Sequence, residues 1–94
     1  MKTLDADAIR TALAELGDWD LQNGKLHRVF SFRDFRDAFG FMTTCALIAE
    51  AMDHHPEWLN VWNTVEVWLT THSAGGLTEK DLELARAMRA RAGR

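Results

Sequence analysis

The hydrophobic positions of this chain repeat at the period of a helix, switch to the pattern of paired strands, and make that switch twice. Ile9, Ala12, Leu13 and Leu16 form an i, i+3, i+4, i+7 stripe, with Asp5 and Asp7 near its positive end and Gly17 just beyond it. The spacing predicts a helix over residues 5 to 16. Trp19 to Gln22 and Lys25 to Phe32 flank Asn23-Gly24, the dipeptide best able to supply two consecutive positive φ angles, and so read as a β-hairpin. A long helical pattern opens at Arg33 or Asp34, where Ser31 and Asp34 have capping-box spacing. Its apolar face is read as Phe35, Phe39, Met42, Cys45, Ala46, Ala49 and Met52, broad enough to lie across a sheet. Pro56 disfavours helical geometry at His55 and is expected to end the helix there.

A second hairpin is predicted from Trp58 to Trp62 and Val65 to His72. In its later strand Val65, Val67 and Leu69 point one way, while Glu66, Trp68, Thr70 and His72 point the other. Ser73 to Leu77 reads as a glycine-bearing loop, after which Thr78 opens a final helix with Leu82, Ala85, Met88 and Ala92 on its inner stripe. The order helix, two strands, helix, two strands, helix predicts an α+β fold: an antiparallel four-stranded sheet with three helices packed on one face.

Ninety-four residues fit one domain over 1–94, and a chain of this size buries roughly 60 to 70% of the surface its unfolded form exposes. The net charge of −3 and the scattered lysines and arginines give no electrostatic footprint for nucleic acid. No apolar run approaches the length that spans a bilayer. The lone Cys45 cannot form an intramolecular disulfide, and no basic start followed by an apolar stretch marks a secretion signal, so the cytoplasm is the expected compartment.

The chemistry concentrates in Glu50-Ala-Met-Asp53-His54-His55-Pro56-Glu57-Trp58, followed by His72 and Asp81. Histidine alone has an ordinary pKa that lets it both give and take protons near neutrality, so three together suit acid/base work. Glu50 precedes His54 by four residues, a spacing that stacks the two on one helix face and lets the carboxylate orient or charge the imidazole. A bland alternative exists, because charged histidines also suit the negative end of a helix. Zinc is disfavoured, since adjacent helical histidines diverge by about 100° where a metal site needs convergent ligands. Thr78-Glu79-Lys80-Asp81 reads as a capping box with Asp81 reaching back to the Thr78 amide. His27 reads as an ordinary strand histidine, and Trp58, Trp62 and Trp68 read as packing residues.

These residues, in this order, resemble the pterin-4a-carbinolamine dehydratase (dimerisation-cofactor) family. The matching positions are Glu50, Asp53, His54, His55, Pro56 and Trp58, then Thr70-Thr71-His72, then Gly76-Leu77-Thr78 leading to Asp81, with further likeness through Phe32-Arg33-Asp34-Phe35 and Phe39-Gly40-Phe41-Met42-Thr43. The resemblance implies dehydration of 4a-hydroxytetrahydropterin to quinonoid dihydropterin, with His54, His55 and His72 catalytic and no metal or bound cofactor, the pterin itself being the substrate. It also implies that Trp19, Glu50, Asp53, Pro56, Thr70, Thr71, Ser73 and Asp81 border the substrate, and that the chain assembles as a homodimer or homotetramer and works beside an aromatic amino-acid hydroxylase. Which histidine is acid and which is base stays open. The family commonly has arginine where this chain has Lys80, which removes a bidentate donor. Some members of the family act as dimerisation cofactors, so a non-enzymatic interaction module is the alternative.

Overall fold

The computed structural model describes residues 1–93. Its elements run α1 (Ala6–Leu16), β1 (Asp20–Gln22), β2 (Lys25–Ser31), α2 (Phe35–Met52), β3 (Glu57–Val61), β4 (Thr64–Leu69), a 3₁₀ turn (His72–Ala74) and α3 (Glu79–Ala92). The strands form one antiparallel sheet in the order β1-β2-β4-β3. The architecture is the expected α+β arrangement. Local chemistry explains several boundaries: the Asp5 carboxylate accepts from the Ala8 amide at 2.8 Å and caps α1, and Asn23 and Gly24 take φ of 53° and 79° in the first hairpin turn.

One face of the sheet carries the core. Leu26 and Phe30 on β2 and Val65, Val67 and Leu69 on β4 are all fully buried, joined by Leu16, Leu82, Leu84, Ala85 and Met88 from α1 and α3. The register places Leu26 opposite Leu69 and Phe30 opposite Val65, so both strands turn the same face to the helices. Among the described residues no helix is long and apolar enough to cross a membrane.

Three boundaries and one face differ from the sequence reading. Asp34, not Ser31, caps α2, its carboxylate accepting from the Asp37 amide at 2.9 Å, because Ser31 is still paired in β2 with Thr64. The helix ends at Met52 rather than His55: Asp53 adopts φ 52° and ψ 43°, its amide donates to Glu50, and the His54 amide reaches back to Ala49. This is a Schellman ending with aspartate in the place usually taken by glycine, and it stops the helix before Pro56 can act. β4 ends at Leu69, and His72 lies in the 3₁₀ turn rather than on a strand. The buried face of α2 is Ala38, Phe41, Cys45 and Ala49, whereas Phe35 and Phe39 pack on each other outside the core with ring centroids 5.5 Å apart. α2 is apolar on more than one side, so periodicity alone does not choose its face. Ala38, Cys45 and Ala49 are the small residues that let other elements approach closely.

The outer face of the sheet carries a polar cluster. His27, nearly buried, places Nδ1 2.8 Å from Asp20 and Nε2 2.7 Å from Glu66, joining β1, β2 and β4, with Trp68 leaning over its ring. Burial alone pushes its pKa down, but the bonds to Glu66 and Asp20 outweigh that and leave it raised. A raised histidine pKa stabilises the fold fully below the unfolded value of about 6.5, and that contribution disappears as pH climbs through the higher folded value. Melting temperatures taken between about pH 6 and pH 9 should therefore fall more steeply for the wild type than for His27→Gln. Parallel curves for the two proteins would remove His27 from the account of stability.

Candidate functional site

The site begins with the hairpin of β3 and β4. Glu57 pairs with Trp68 at the start of β3 and the end of β4, and continuing that register would set His54 opposite Thr71. The end of α2 and the segment after β4 are thus neighbours by strand geometry. A third segment, the first turn of α3, closes against both.

Its keystone is Asp81, which is fully buried. Oδ2 accepts from the Thr78 amide at 2.9 Å and from the Thr71 hydroxyl at 2.7 Å, and Oδ1 lies 2.6 Å from His54 Nε2. The capping box expected between Thr78 and Asp81 is present. A carboxylate only accepts, so each neighbour must donate to it. The Thr71 proton is therefore committed to Asp81, and the 2.8 Å contact between the Thr71 and Thr78 hydroxyls must run from Thr78 to Thr71. Thr78 Oγ1 in turn accepts from the Lys80 amide at 3.3 Å.

The same logic fixes His54. Its Nε2 carries a proton and donates to Asp81, while no described residue bonds Nδ1. A neutral His54 held this way presents Nδ1 as a bare acceptor, and the carboxylate behind Nε2 would stabilise the imidazolium formed when Nδ1 takes a proton. His54 is 8% exposed.

Glu50 does not meet His54 as the i, i+4 spacing suggests. Its Oε1 lies 2.8 Å from His55 Nε2, because the left-handed Asp53 turns the chain and brings the fifth residue, not the fourth, over Glu50. His55 and Glu50 are both exposed. His72 opens the 3₁₀ turn directly after Thr71 and is exposed. The Glu57 carboxyl is held below its usual range by the Lys25 ammonium 2.6 Å away, and the His72 charge adds to that lowering.

The remaining predicted residues divide by position. Asp53 supplies the turn with its backbone, Pro56 leads into β3, and Thr70 and Ser73 bracket Thr71 and His72. Trp19 sits in the core at 3% exposure, edge-on to Phe30 with centroids 5.9 Å apart, and so is not an open wall in this structure. Its strand begins one residue later, at Asp20. The sequence reading missed Thr78 as a hydroxyl relay and missed Lys25 and Glu57 beside His72. These two line a depression of about 330 Å³, together with Gln22, Trp58 and Trp68, at the same end of the sheet. The capping-box spacing was the available signal for Thr78. Lys25 and Glu57 are 32 residues apart, and only the strand register brings them together. Among the described residues no cluster of three or more potential ligands is placed to hold a metal ion.

Comparison with known proteins bears on this geometry. The family profile described as pterin 4 alpha carbinolamine dehydratase matches residues 2–91. A Chelativorans sp. (strain BNC1) protein provisionally named pterin-4-alpha-carbinolamine dehydratase is 55% identical over 89 residues, covering 93% of this chain and 91% of that protein. A Bradyrhizobium sp. (strain ORS 278) protein of the same provisional name is 57% identical over 90 residues, covering 94% and 90%. The crystal structure of a transcriptional coactivator/pterin dehydratase from Brucella melitensis superposes with a TM-score of 0.94 at 47% identity, covering 98% of this chain and all of that one.

Asp81 should dominate local stability. Asp81→Ala leaves buried donors on Thr71, Thr78 and His54 without their acceptor, each costing about 1 to 3 kcal/mol. Asp5→Ala removes only an exposed cap, worth about 1 kcal/mol. Urea unfolding should show the Asp81 variant to be the weaker by at least about 2 kcal/mol. Equal losses would mean that Asp81 is a cap and nothing more.

Proposed function

The chain belongs to the pterin 4 alpha carbinolamine dehydratase family, and on that footing we propose that it converts 4a-hydroxytetrahydropterin to quinonoid dihydropterin and water by histidine acid/base catalysis. The observation that carries the reading is the bond from His54 Nε2 to the buried Asp81, which leaves Nδ1 as an acceptor, while the same carboxylate holds Thr71, the residue before His72.

The reaction needs one proton removed and one supplied. Loss of the N5 proton lets the nitrogen lone pair form the C4a=N5 bond, and the C4a–O bond breaks as the hydroxyl leaves with a proton as water. His54 acts as the base at N5, since Asp81 stabilises the charge it acquires. His72 supplies the proton to the departing hydroxyl, and His55, held by Glu50, binds and orients the pterin. Each positioned proton transfer contributes about 10² to 10⁴-fold. The backbone around Thr70 and Ser73, together with Asp53 and Pro56, borders the pterin. No resident cofactor enters, because the heterocycle that reacts is the substrate. The substrate is the carbinolamine left by tetrahydropterin-dependent hydroxylation, which links the protein to an aromatic amino-acid hydroxylase. The buried, unpaired Cys45 fits a reducing compartment, and we assign the reaction to the cytoplasm.

A second reading, as an interaction module, draws on exposed apolar side chains. Phe35, Phe39 and Leu47 on α2, and Leu59 and Val61 on the edge strand β3, face outward. Self-association as a homodimer or homotetramer is compatible with the catalytic reading. The name of the Brucella melitensis protein joins both roles in one molecule.

Decay of chemically generated 4a-hydroxytetrahydropterin should be accelerated by the pure protein, and His54→Ala, His55→Ala and His72→Ala should each lower that rate by at least about tenfold. His54→Ala should also lose stability, because it strips a donor from Asp81, so rates are compared at a temperature where every variant is folded. Unchanged turnover in all three would sink the assignment. No acceleration by the wild type would leave the interaction module as the better reading. In sedimentation equilibrium the wild type should be a dimer or tetramer, and a monomeric mass would withdraw the assembly.

A further inference from the structure

Thr71 is joined to His54 through Asp81 and precedes His72 in the chain, and every polar group it has is already engaged inside the protein. Its amide donates to the Gly76 carbonyl at 3.1 Å, and its own carbonyl accepts from Ala74 and Gly75, each at 3.0 Å. Its hydroxyl donates to Asp81 at 2.7 Å and accepts from Thr78 at 2.8 Å. The residue is 5% exposed. Both of its donors are spent, and little of its surface is left to a ligand. Yet one side of Thr71 leads through Asp81 to His54 Nε2, and the other leads along the chain to His72 as the first residue of the 3₁₀ turn.

We propose that Thr71 is a positioning residue which, through its hydroxyl on Asp81, fixes the tautomer of His54, and through its backbone closes the turn that carries His72. The inference rests on the catalytic reading above only for its kinetic consequence. Asp81 Oδ2 is held by two donors, the Thr71 hydroxyl and the Thr78 amide, and their directions set the plane of the carboxylate. That plane aims Oδ1 at His54. Without the hydroxyl the carboxylate pivots on the Thr78 amide alone, and its aim at Nε2 loosens. The proton on Nε2 is then less strongly favoured over one on Nδ1, and each His54 protonated on Nδ1 has lost the acceptor that the reaction uses.

The test pairs Thr71→Val, which keeps the shape and removes the hydroxyl, with Thr71→Ser, which keeps the hydroxyl. Long-range ¹H–¹⁵N NMR of the free protein reads the His54 tautomer without any substrate. The wild type and Thr71→Ser should be protonated on Nε2, and Thr71→Val should show a share of the Nδ1–H form. In the dehydratase assay Thr71→Val should lose about tenfold in kcat with KM within about twofold, and Thr71→Ser should restore kcat. A wild-type His54 protonated on Nδ1 would overturn the proposal by itself. So would a Thr71→Val protein with the wild-type tautomer, or one whose KM rises while kcat holds, since that pattern belongs to a residue touching substrate. If the wild type has no dehydratase activity the catalytic reading fails, and the tautomer measurement still decides the role of Thr71. Should Thr71→Val not fold, Thr71→Cys, a weak donor of similar size, carries the same comparison.

Discussion

A carboxylate with no exposed surface sets the terms on which this fold closes. Burying an anion is costly unless donors replace the water it loses, and Asp81 receives three such donors from three separate segments. The Thr78 amide belongs to the first turn of α3, Thr71 to the segment after β4, and His54 to the residues just past α2. One oxygen pair thus caps a helix, anchors a loop and orients an imidazole. The helix would start at Thr78 with any good cap there. What the particular choice of aspartate adds is the demand that α2 and β4 deliver their own donors to the same point.

Much of the architecture was legible because it is written in local chemistry. Asp5 before the Ile9, Ala12, Leu16 stripe, Asn23-Gly24 between two strands, and Thr78 with Asp81 at N3 are each signals that need only three or four neighbouring residues. The errors fall where two signals compete or where a distant element decides. Pro56 was the obvious helix stop, yet Asp53 takes the left-handed conformation first. That single turn exchanged the partner of Glu50 from His54 to His55. Aspartate is among the few residues that adopt this geometry at modest cost, which is the physical hint a sequence does carry.

The site was legible in its membership and not in its wiring. His54, His55, His72 and Asp81 are singled out by residue type and by the resemblance, but the pairing of His54 with Asp81 crosses 27 residues and depends on the register of β3 against β4. Trp19 illustrates the converse: an aromatic at a position matching the family is drawn into the core by Phe30 once β1 begins at Asp20. His27 was passed over because its partners, Asp20 and Glu66, lie on two other strands. The apolar face of α2 was read correctly at Cys45 and Ala49, with Met42 and Met52 packed against the core, and missed at Phe35 and Phe39, since a helix apolar on several sides gives periodicity little preference.

The long reach of the bond between His54 and Asp81 also dates the site within the folding of the chain. The α1 cap and the first hairpin turn involve residues a few positions apart and can form as local structure, whereas the carboxylate meets His54 only after β3 and β4 have paired and α3 has docked. The tautomer of His54 is accordingly a property of the finished molecule. Lifting the first turn of α3 would take Asp81 from His54 and Thr71 at once, so opening of that turn and loss of the aimed imidazole are a single event.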